Sequence, residues 1–379
     1  MHERWADEVA AALGPVVAGR HREIDALGRL PDDVVAAMHT SGLFRTWVPD
    51  ELGGRDATMA EGLELIEELS RLDAALGWVT MINITTSWIA GSIGRDAARE
   101  VFGPDRSVAA GTTAPMGRAV EVDGGLRLSG RWAWGSGVHN SSWMACGALV
   151  EPASGGDGRA RAVMAVVPIG AITVLDTWHT TGMRGTGSAD YECHDVFVPW
   201  ERVVDPGRPL GWSERPLHRI AVYSLLALAV SSVAVGVGRR ALEEFRALAA
   251  GRTLLGTSRP IATSPVAQTA YARAEAMVRS AAAFKDRTVA DAWVRAEEGR
   301  LDRETRRLLR LAATNATFAA ADAIDALWEV AGAAVVYDTE VFGRLHRDIH
   351  VITQHFRVAQ RTWEMNGALA LDQPFEGQF

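Results

Sequence analysis

Lysine is almost missing from this chain: of its 39 basic residues only Lys285 is a lysine, the rest being arginine. That scarcity goes with a chain rich in Arg and Ala, and has no further physical account in the sequence. Cysteine is equally scarce. Cys146 and Cys193 are too few for a disulfide framework and lack metal-ligand spacing, so neither a disulfide-stapled module nor a structural zinc module fits. No block of one charge sign occurs. The 39 basic and 47 acidic residues are interspersed, with a formal charge of -8, which argues against nucleic acid or an anionic membrane as a partner. The start, MHERWADEVAAALG, is charged and amphipathic rather than a secretion signal. The most apolar run, 220–237, carries Tyr223 and three serines, so a soluble, cytoplasmic protein is expected. Also missing is a Gly-x-Gly-x-x-Gly run between a strand and a helix, so nicotinamide binding is not expected.

What is present is apolar substance: 48% hydrophobic residues over 379 positions, enough for two or three packed units. Residues 1–105 read as helices. Pro31-Asp32-Asp33 opens one that stops at Ser41-Gly42, a second runs over 59–72, and a third, 77–93, is nearly uncharged and should be buried. Over 106–206 the period changes to short β-rich runs at 119–122, 126–129, 143–151, 160–168, 171–175 and 190–198, separated by glycine-rich turns. That pattern predicts an antiparallel barrel or sandwich. From 207 to 379 the chain is helical again, with long patterns at 219–250, 266–298, 302–331 and 345–367 that predict a four-helix bundle.

Two stretches carry candidate chemistry. LSGRWAWGSGVHNSSW (128–143) joins a strand pattern to Gly135-Ser136-Gly137, where a flat ligand could approach the backbone. It reads equally as a buried aromatic strand ending in a glycine turn. WHTTGMRGTGS (178–188) is a glycine-rich loop whose Thr186 and Ser188 either turn the chain or hold a polar ring edge or phosphate.

The order of elements resembles the acyl-CoA dehydrogenase fold, an α+β architecture, over nearly the whole chain. LPDDVVAAMHTSGLFRTWVPDELGG (30–54) resembles that family's amino-terminal helix pair, LSGRWAWGSG (128–137) its flavin-contacting strand, GMRGTGSADYECHDVFVP (182–199) its last β-domain hairpin, and RLHRDIHVITQH (344–355) its carboxy-terminal Arg-Asp helix. The dehydrogenases' catalytic carboxylate has no counterpart. Phe356 and His218 occupy its two positions, so α-proton abstraction lacks its general base.

The departures are similar to those of the two-component flavin monooxygenases of this fold, whose Ser-Gly-Arg-Trp strand and Gly-Met-Arg-Gly-Thr-Gly-Ser loop match residues 129–132 and 182–188. The resemblance implies reduced FAD or FMN, FADH2 in preference, with O2 as co-substrate and a separate NAD(P)H:flavin reductase as partner. It implies oxygen transfer to a small aromatic or amine substrate through a flavin C4a-hydroperoxide, with an amine N-oxygenase or a dehydrogenase with a displaced base as alternatives, and a non-catalytic scaffold as a third. It implies a homotetramer.

By the same resemblance, Ser136 is expected to hydrogen-bond flavin N5. His355 would then act beside the reacting oxygen, as a base or an oxyanion stabiliser. Thr113, Trp134, Thr186, Gly187 and Ser188 are expected around the ring, and Arg252 at a phosphate in a neighbouring subunit. Asn83, Thr86, Trp88, His139, Asn140 and Phe356 are expected on the substrate side. Phenol-oxidising members often place a histidine where this chain has Thr86-Ser87-Trp88, which points away from a simple phenol. No metal is expected, His346 and His350 being read as structural.

Overall fold

A computed structural model describes residues 4–151, 160–254 and 256–375. Among these residues six helices come first: α1 (Trp5–Val17), α2 (His21–Leu27), α3 (Asp32–Thr40), α4 (Met59–Leu72), α5 (Ala74–Thr86) and α6 (Arg95–Phe102). Seven strands follow: β1 (Ala109–Val122), β2 (Gly125–Trp132), β3 (Trp143–Val150), β4 (Arg161–Pro168), β5 (Thr173–Val174), β6 (Tyr191–Pro199) and β7 (Val203–Val204). The chain then returns to helix: α7 (Pro216–Arg219), α8 (Val222–Gly251), α9 (Pro265–Glu297), α10 (Arg303–Ala331), α11 (Val341–Ile352) and α12 (Arg361–Ala370).

Local chemistry accounts for the helix ends that matter here. At the start of α4 the Thr58 hydroxyl accepts from the Glu61 amide while Glu61 accepts from the Thr58 amide, a capping box. One residue past α4, the Asp73 carboxylate accepts from the Ala75 and Leu76 amides (2.9 and 3.2 Å) and starts α5 in a new direction. The nearly uncharged run expected at 77–93 is buried, but α5 stops at Thr86 and continues as a 3₁₀ turn over Ser87–Gly91. Hydroxyls of Thr86 and Ser87 bond back to the carbonyls of Ile82 and Asn83, competing with the helical ladder.

The sheet corrects one expectation. It is mixed, in the order β5-β6-β2-β1-β3-β4-β7, with β1 and β3 parallel and the other pairs antiparallel. After β2 the chain reverses and hops over β1, so β3 lands on the far side of β1 running the same way; a hairpin would have kept it beside β2. β1 also begins ten residues before the expected 119, at Ala109. Pro115 had disguised it, yet Pro115 sits where the β1–β3 register shifts between Thr112 and Gly117, a break in the ladder where a missing N–H costs little.

A second correction concerns the last bundle helix, expected as one piece over 345–367. It breaks into α11 and α12, and the amides of Val358 and Ala359 both bond to the His355 carbonyl (2.9 Å each) to close the turn between them. α8 is the one helix among the described residues long and apolar enough to cross a membrane, and 83% of its most apolar window is buried inside the protein, as a core helix. It shares one hydrophobic cluster with Leu63 and Ile66 of α4, Met81 and Ile84 of α5, and the facing sides of α9, α10 and α11. The lone lysine lies in this junction: Lys285 is 1% exposed, paired with Glu67 and 3.1 Å from the Ser232 hydroxyl, while Arg239 also reaches Glu67 at 3.0 Å.

Candidate active site

A cavity of about 370 Å³ lies where α5, the sheet, the start of α8 and the end of α11 meet. α5 turns Trp78, Ile82, Thr85 and Thr86 toward it, positions three and four apart on one helix face. β1 contributes Thr113 at its bulge, the turn after β2 contributes Trp134 and Ser136, and α8 contributes Val222 and Leu226. The loop before β6 brings Met183, Thr186 and Ser188, and the turn after α11 brings Gln354, His355 and Phe356. No charged side chain lines it among the described residues.

The platform stretch does two opposite things. Trp132 points into the sheet core, fully buried, stacked on Tyr191 at 5.3 Å and donating to the Gly147 carbonyl at 2.7 Å. β2 then ends at Trp132, and Trp134 takes a left-handed backbone (φ 62°) that swings its ring out to 64% exposure at the cavity rim.

The glycine loop is pinned from behind by α11. The Met183 amide donates to the buried Asp348 carboxylate at 2.5 Å, and a side chain at Gly182 would lie 2.5 Å from the Arg347 carbonyl, so only glycine fits that close approach. Gly187 has φ 56° and its missing Cβ would meet His139 at 2.8 Å. Asp348 belongs to a buried cluster centred on Arg344, which reaches Asp25 at 2.9 Å, Asp73 at 2.5 Å and Asp348 at 3.7 Å. Burial pushes the Asp348 carboxyl up to about 6, against the pull of Arg344 and the Met183 amide. Burial also opposes ionisation of Asp73, but Arg344 and the two helix amides outweigh it and hold that carboxyl below the usual range.

The hydroxyls on the cavity wall form one chain whose direction is fixed at both ends. The Trp78 indole N–H, which can only donate, reaches Ser136 Oγ at 2.9 Å; Ser136 Oγ is 2.5 Å from Ser188 Oγ, which is 2.7 Å from Thr186 Oγ1. Thr186 Oγ1 is 2.8 Å from the Met183 carbonyl, which can only accept. Thr186 must therefore donate to Met183, Ser188 to Thr186, and Ser136 to Ser188. Ser136 is left with no proton to give and one lone pair. That free acceptor fits a ligand that itself carries an N–H at this point, as the reduced isoalloxazine ring does at N5.

His355 is half-buried, its ring edge-to-face with Trp78 at 5.7 Å. Burial, reinforced by Arg357 and Arg310, pushes its pKa down to about 3, so the imidazole is neutral at any working pH. Its Nδ1 faces the Arg357 amide at 3.4 Å, a long contact that favours the tautomer with the proton on Nε2. Trp78 thus stands between the hydroxyl chain and the imidazole, and Thr85, Thr86, Thr112, Thr113 and Gln354 are the other polar side chains on an otherwise apolar wall.

Not every residue expected at the site lines this cavity. Asn83 is buried against the Ala109 carbonyl (3.0 Å), Ser141 (3.1 Å) and Asn140 (3.0 Å), where it ties α5 to the sheet. His139 and Asn140 line a smaller cleft of about 90 Å³ beside Arg29 and Thr186. Trp88 donates to the Leu217 carbonyl at 3.3 Å behind the wall. Gly187 shapes the loop without lining the cavity, and Arg252 pairs with Glu340 at 2.8 Å. Sequence reasoning missed Trp78, Met183 and Asp348. A tryptophan one turn ahead of Ile82 on an uncharged helix was the available signal for the first.

Residues 1–105 match the acyl-CoA dehydrogenase N-terminal domain, and residues 228–360 its C-terminal domain. The chain is 31% identical to indole-3-acetate monooxygenase of Pseudomonas putida, over 99% of this chain and 98% of that one. The chain belongs to the flavin-dependent monooxygenases of the acyl-CoA dehydrogenase fold. The FADH(2)-dependent resorcinol hydroxylase oxygenase component of Rhizobium sp. is 28% identical, over 97% of this chain and 93% of that one. The solved structure of XiaF from Streptomyces sp. in complex with FADH2 and glycerol superposes with a TM-score of 0.91 at 26% identity, covering 98% of this chain and 97% of that one. As a member of this family the chain is a flavoprotein oxidoreductase, and the missing general base of the dehydrogenases accords with it.

Proposed function

We propose that this chain is the oxygenase component of a two-component system, taking reduced flavin from a separate reductase and inserting one atom of O2 into a neutral aromatic or heteroaromatic substrate. The observation that carries the substrate class is the cavity wall: a mostly apolar chamber with no charged side chain offers nothing to pair with a substrate carboxylate or ammonium. That favours an uncharged ring over an amine. The relative named for resorcinol, a neutral ring, supports this reading, and the one named for indole-3-acetate, a carboxylate, supports its aromatic part alone.

Bound reduced flavin supplies two electrons and the carbon at which O2 is activated; one oxygen atom goes to the substrate and the other leaves as water. Ser136, through its free lone pair, accepts a hydrogen bond from the ring N–H and orients it. Thr113, Trp134, Thr186 and Ser188 border the same ring, with FAD in preference to FMN. His355 donates from Nε2 to a substrate oxygen and stabilises negative charge developing there; its depressed pKa speaks against a role as base. Thr86 and Phe356 contact the substrate, and the apolar wall excludes water from the reacting atoms. The outward face of α9 bears Val266, Met277 and Phe284 at 68, 37 and 37% exposure, an apolar stripe in keeping with a homotetramer that would bring Arg252 to a neighbouring subunit's flavin.

The test combines the purified chain with a flavin reductase, NADH, FAD and ¹⁸O2 over a panel of neutral and carboxylated aromatics. A product of one added ¹⁸O atom from neutral members is expected. Release of all reducing equivalents as hydrogen peroxide across the panel would sink the reading, and a monomer by sedimentation at micromolar concentration would sink the assembly.

A further inference from the structure

We propose that the chain carries a second ligand site, outside the cavity, for a divalent cation of the zinc type, held by Asp325 of α10 and by His346 and His350 of α11. None of the three lines the cavity; the packing of α10 against α11 alone makes the site, independent of the flavin reading.

Four residues apart on one helix, His346 and His350 lie one above the other on the same face, the spacing with which a helix chelates a metal. Their Nε2 atoms converge on one oxygen of the opposite helix: His350 lies 2.8 Å and His346 3.1 Å from Asp325 Oδ1. All three donor atoms lie within 4.8 Å of one another. A tetrahedral zinc ion with bonds near 2.0–2.1 Å holds its donors about 3.3 Å apart. Two of the three edges are already close to that length, and the third closes by turning the His350 imidazole about its last torsion.

The rings are also braced. Trp328, one turn after Asp325, stacks on His346 with ring centres 4.3 Å apart and planes 21° apart, and Trp328 in turn stacks on Phe342 at 6.3 Å. That support fixes the His346 plane, the role that neighbouring groups play around a metal ligand. The site stays reachable, with His346, His350 and Asp325 side chains 25, 45 and 44% exposed. Two imidazoles and one carboxylate suit zinc, nickel or copper over calcium or magnesium, which prefer oxygen alone, and they leave a position for water. Because α11 runs on into the turn that holds His355, a bound cation would clamp α10 to the element that forms one end of the cavity.

Untagged protein, stripped with EDTA, is titrated with zinc against a chromophoric chelator. One zinc per chain with micromolar or tighter affinity is expected, weakened about tenfold to a hundredfold in His350→Ala and Asp325→Asn. The variant His194→Ala, at an exposed imidazole elsewhere, should bind as the parent does. His350→Gln keeps a hydrogen-bond donor opposite Asp325 and guards against misfolding: it should melt as the stripped parent does and still lose the metal. Cobalt in place of zinc should give a visible absorption band that His350→Ala lacks. Absence of stoichiometric zinc, or zinc affinity unchanged across the three site variants, would overturn the proposal.

Discussion

Ser136 shows how much a single hydrogen can decide. Its proton is committed to Ser188 by a chain that begins at an indole and ends at a carbonyl, so what it offers the cavity is a lone pair. Ser136→Ala should therefore weaken binding of reduced flavin by the worth of one hydrogen bond, roughly 1 kcal/mol, while raising hydrogen peroxide release at the expense of product. Trp78→Phe tests the direction of the chain. Without the indole N–H, Ser136 gains a second free lone pair and loses its positioning, so the ratio of reduced to oxidised flavin affinity should fall about fivefold. An unchanged ratio would show that the chain does not set it. His355→Gln keeps a donor and should retain more product than His355→Ala, which should lose on the order of tenfold to a hundredfold in oxygen transfer with flavin binding intact. Rapid mixing with oxygen, followed by product and peroxide assays, separates these outcomes.

At the scale of elements, the loop that carries Met183, Thr186 and Ser188 is only as well placed as α11 behind it. Arg344 gathers Asp25, Asp73 and Asp348 from α2, the cap of α5 and its own helix, and so fastens three parts of the chain at one buried point. Arg344→Met would leave these carboxylates without their cation, and a loss of about 3–5 kcal/mol in unfolding free energy is expected from urea titration. Asp348→Asn is the contrasting change. It keeps an acceptor for the Met183 amide and removes a charge that burial already disfavours, so stability should shift by less than about 1 kcal/mol. A large loss on Asp348→Asn would mean that the ionised carboxylate is essential. The break between α11 and α12 belongs to this scale too: only because the helix stops does His355 leave the bundle and face Trp78.

For the molecule as a whole, buried titratable groups set the response to acid. His355 and His218 have folded pKa values pushed down by burial to about 3 and about 4, from 6.5. Unfolding therefore takes up their protons below pH 6.5, and the stability they contribute is lost as pH falls. Asp348 works the other way, because its folded pKa of about 6 lies above the unfolded value and the folded state gains a proton first. Two protons against one leave a net loss, about 2 kcal/mol between pH 6.5 and pH 5. Urea midpoints across that range check it, and His218→Gln, which removes one of the two proton uptakes and leaves Asp348 to offset the other, should flatten the slope by about four-fifths. Stability that stays level or rises toward pH 5 would contradict the burial of both histidines.

The order helix, sheet, bundle was legible in the sequence because each depends on local periodicity, and so were α3, α4 and the long bundle helices, whose caps and apolar spacing are written in adjacent residues. Thr113, Trp134, Ser136, Thr186, Ser188, His355, Thr86 and Phe356 were singled out through the family resemblance, and the fold brings all eight to one cavity. The parallel pairing of β1 with β3 was not legible, since a hop over a neighbouring strand leaves no local mark. Nor was the separation of Asn83, His139 and Asn140 from the cavity, because which face of a turn meets a pocket is decided by the element packed on its other side. The same holds for Trp78 and Asp348. Each acts on a group far away in the chain, an indole reaching a serine 58 residues on and a carboxylate reaching an amide 165 residues back. Periodicity fixes what a segment becomes; which atoms meet across segments is decided by the packing of the assembled fold.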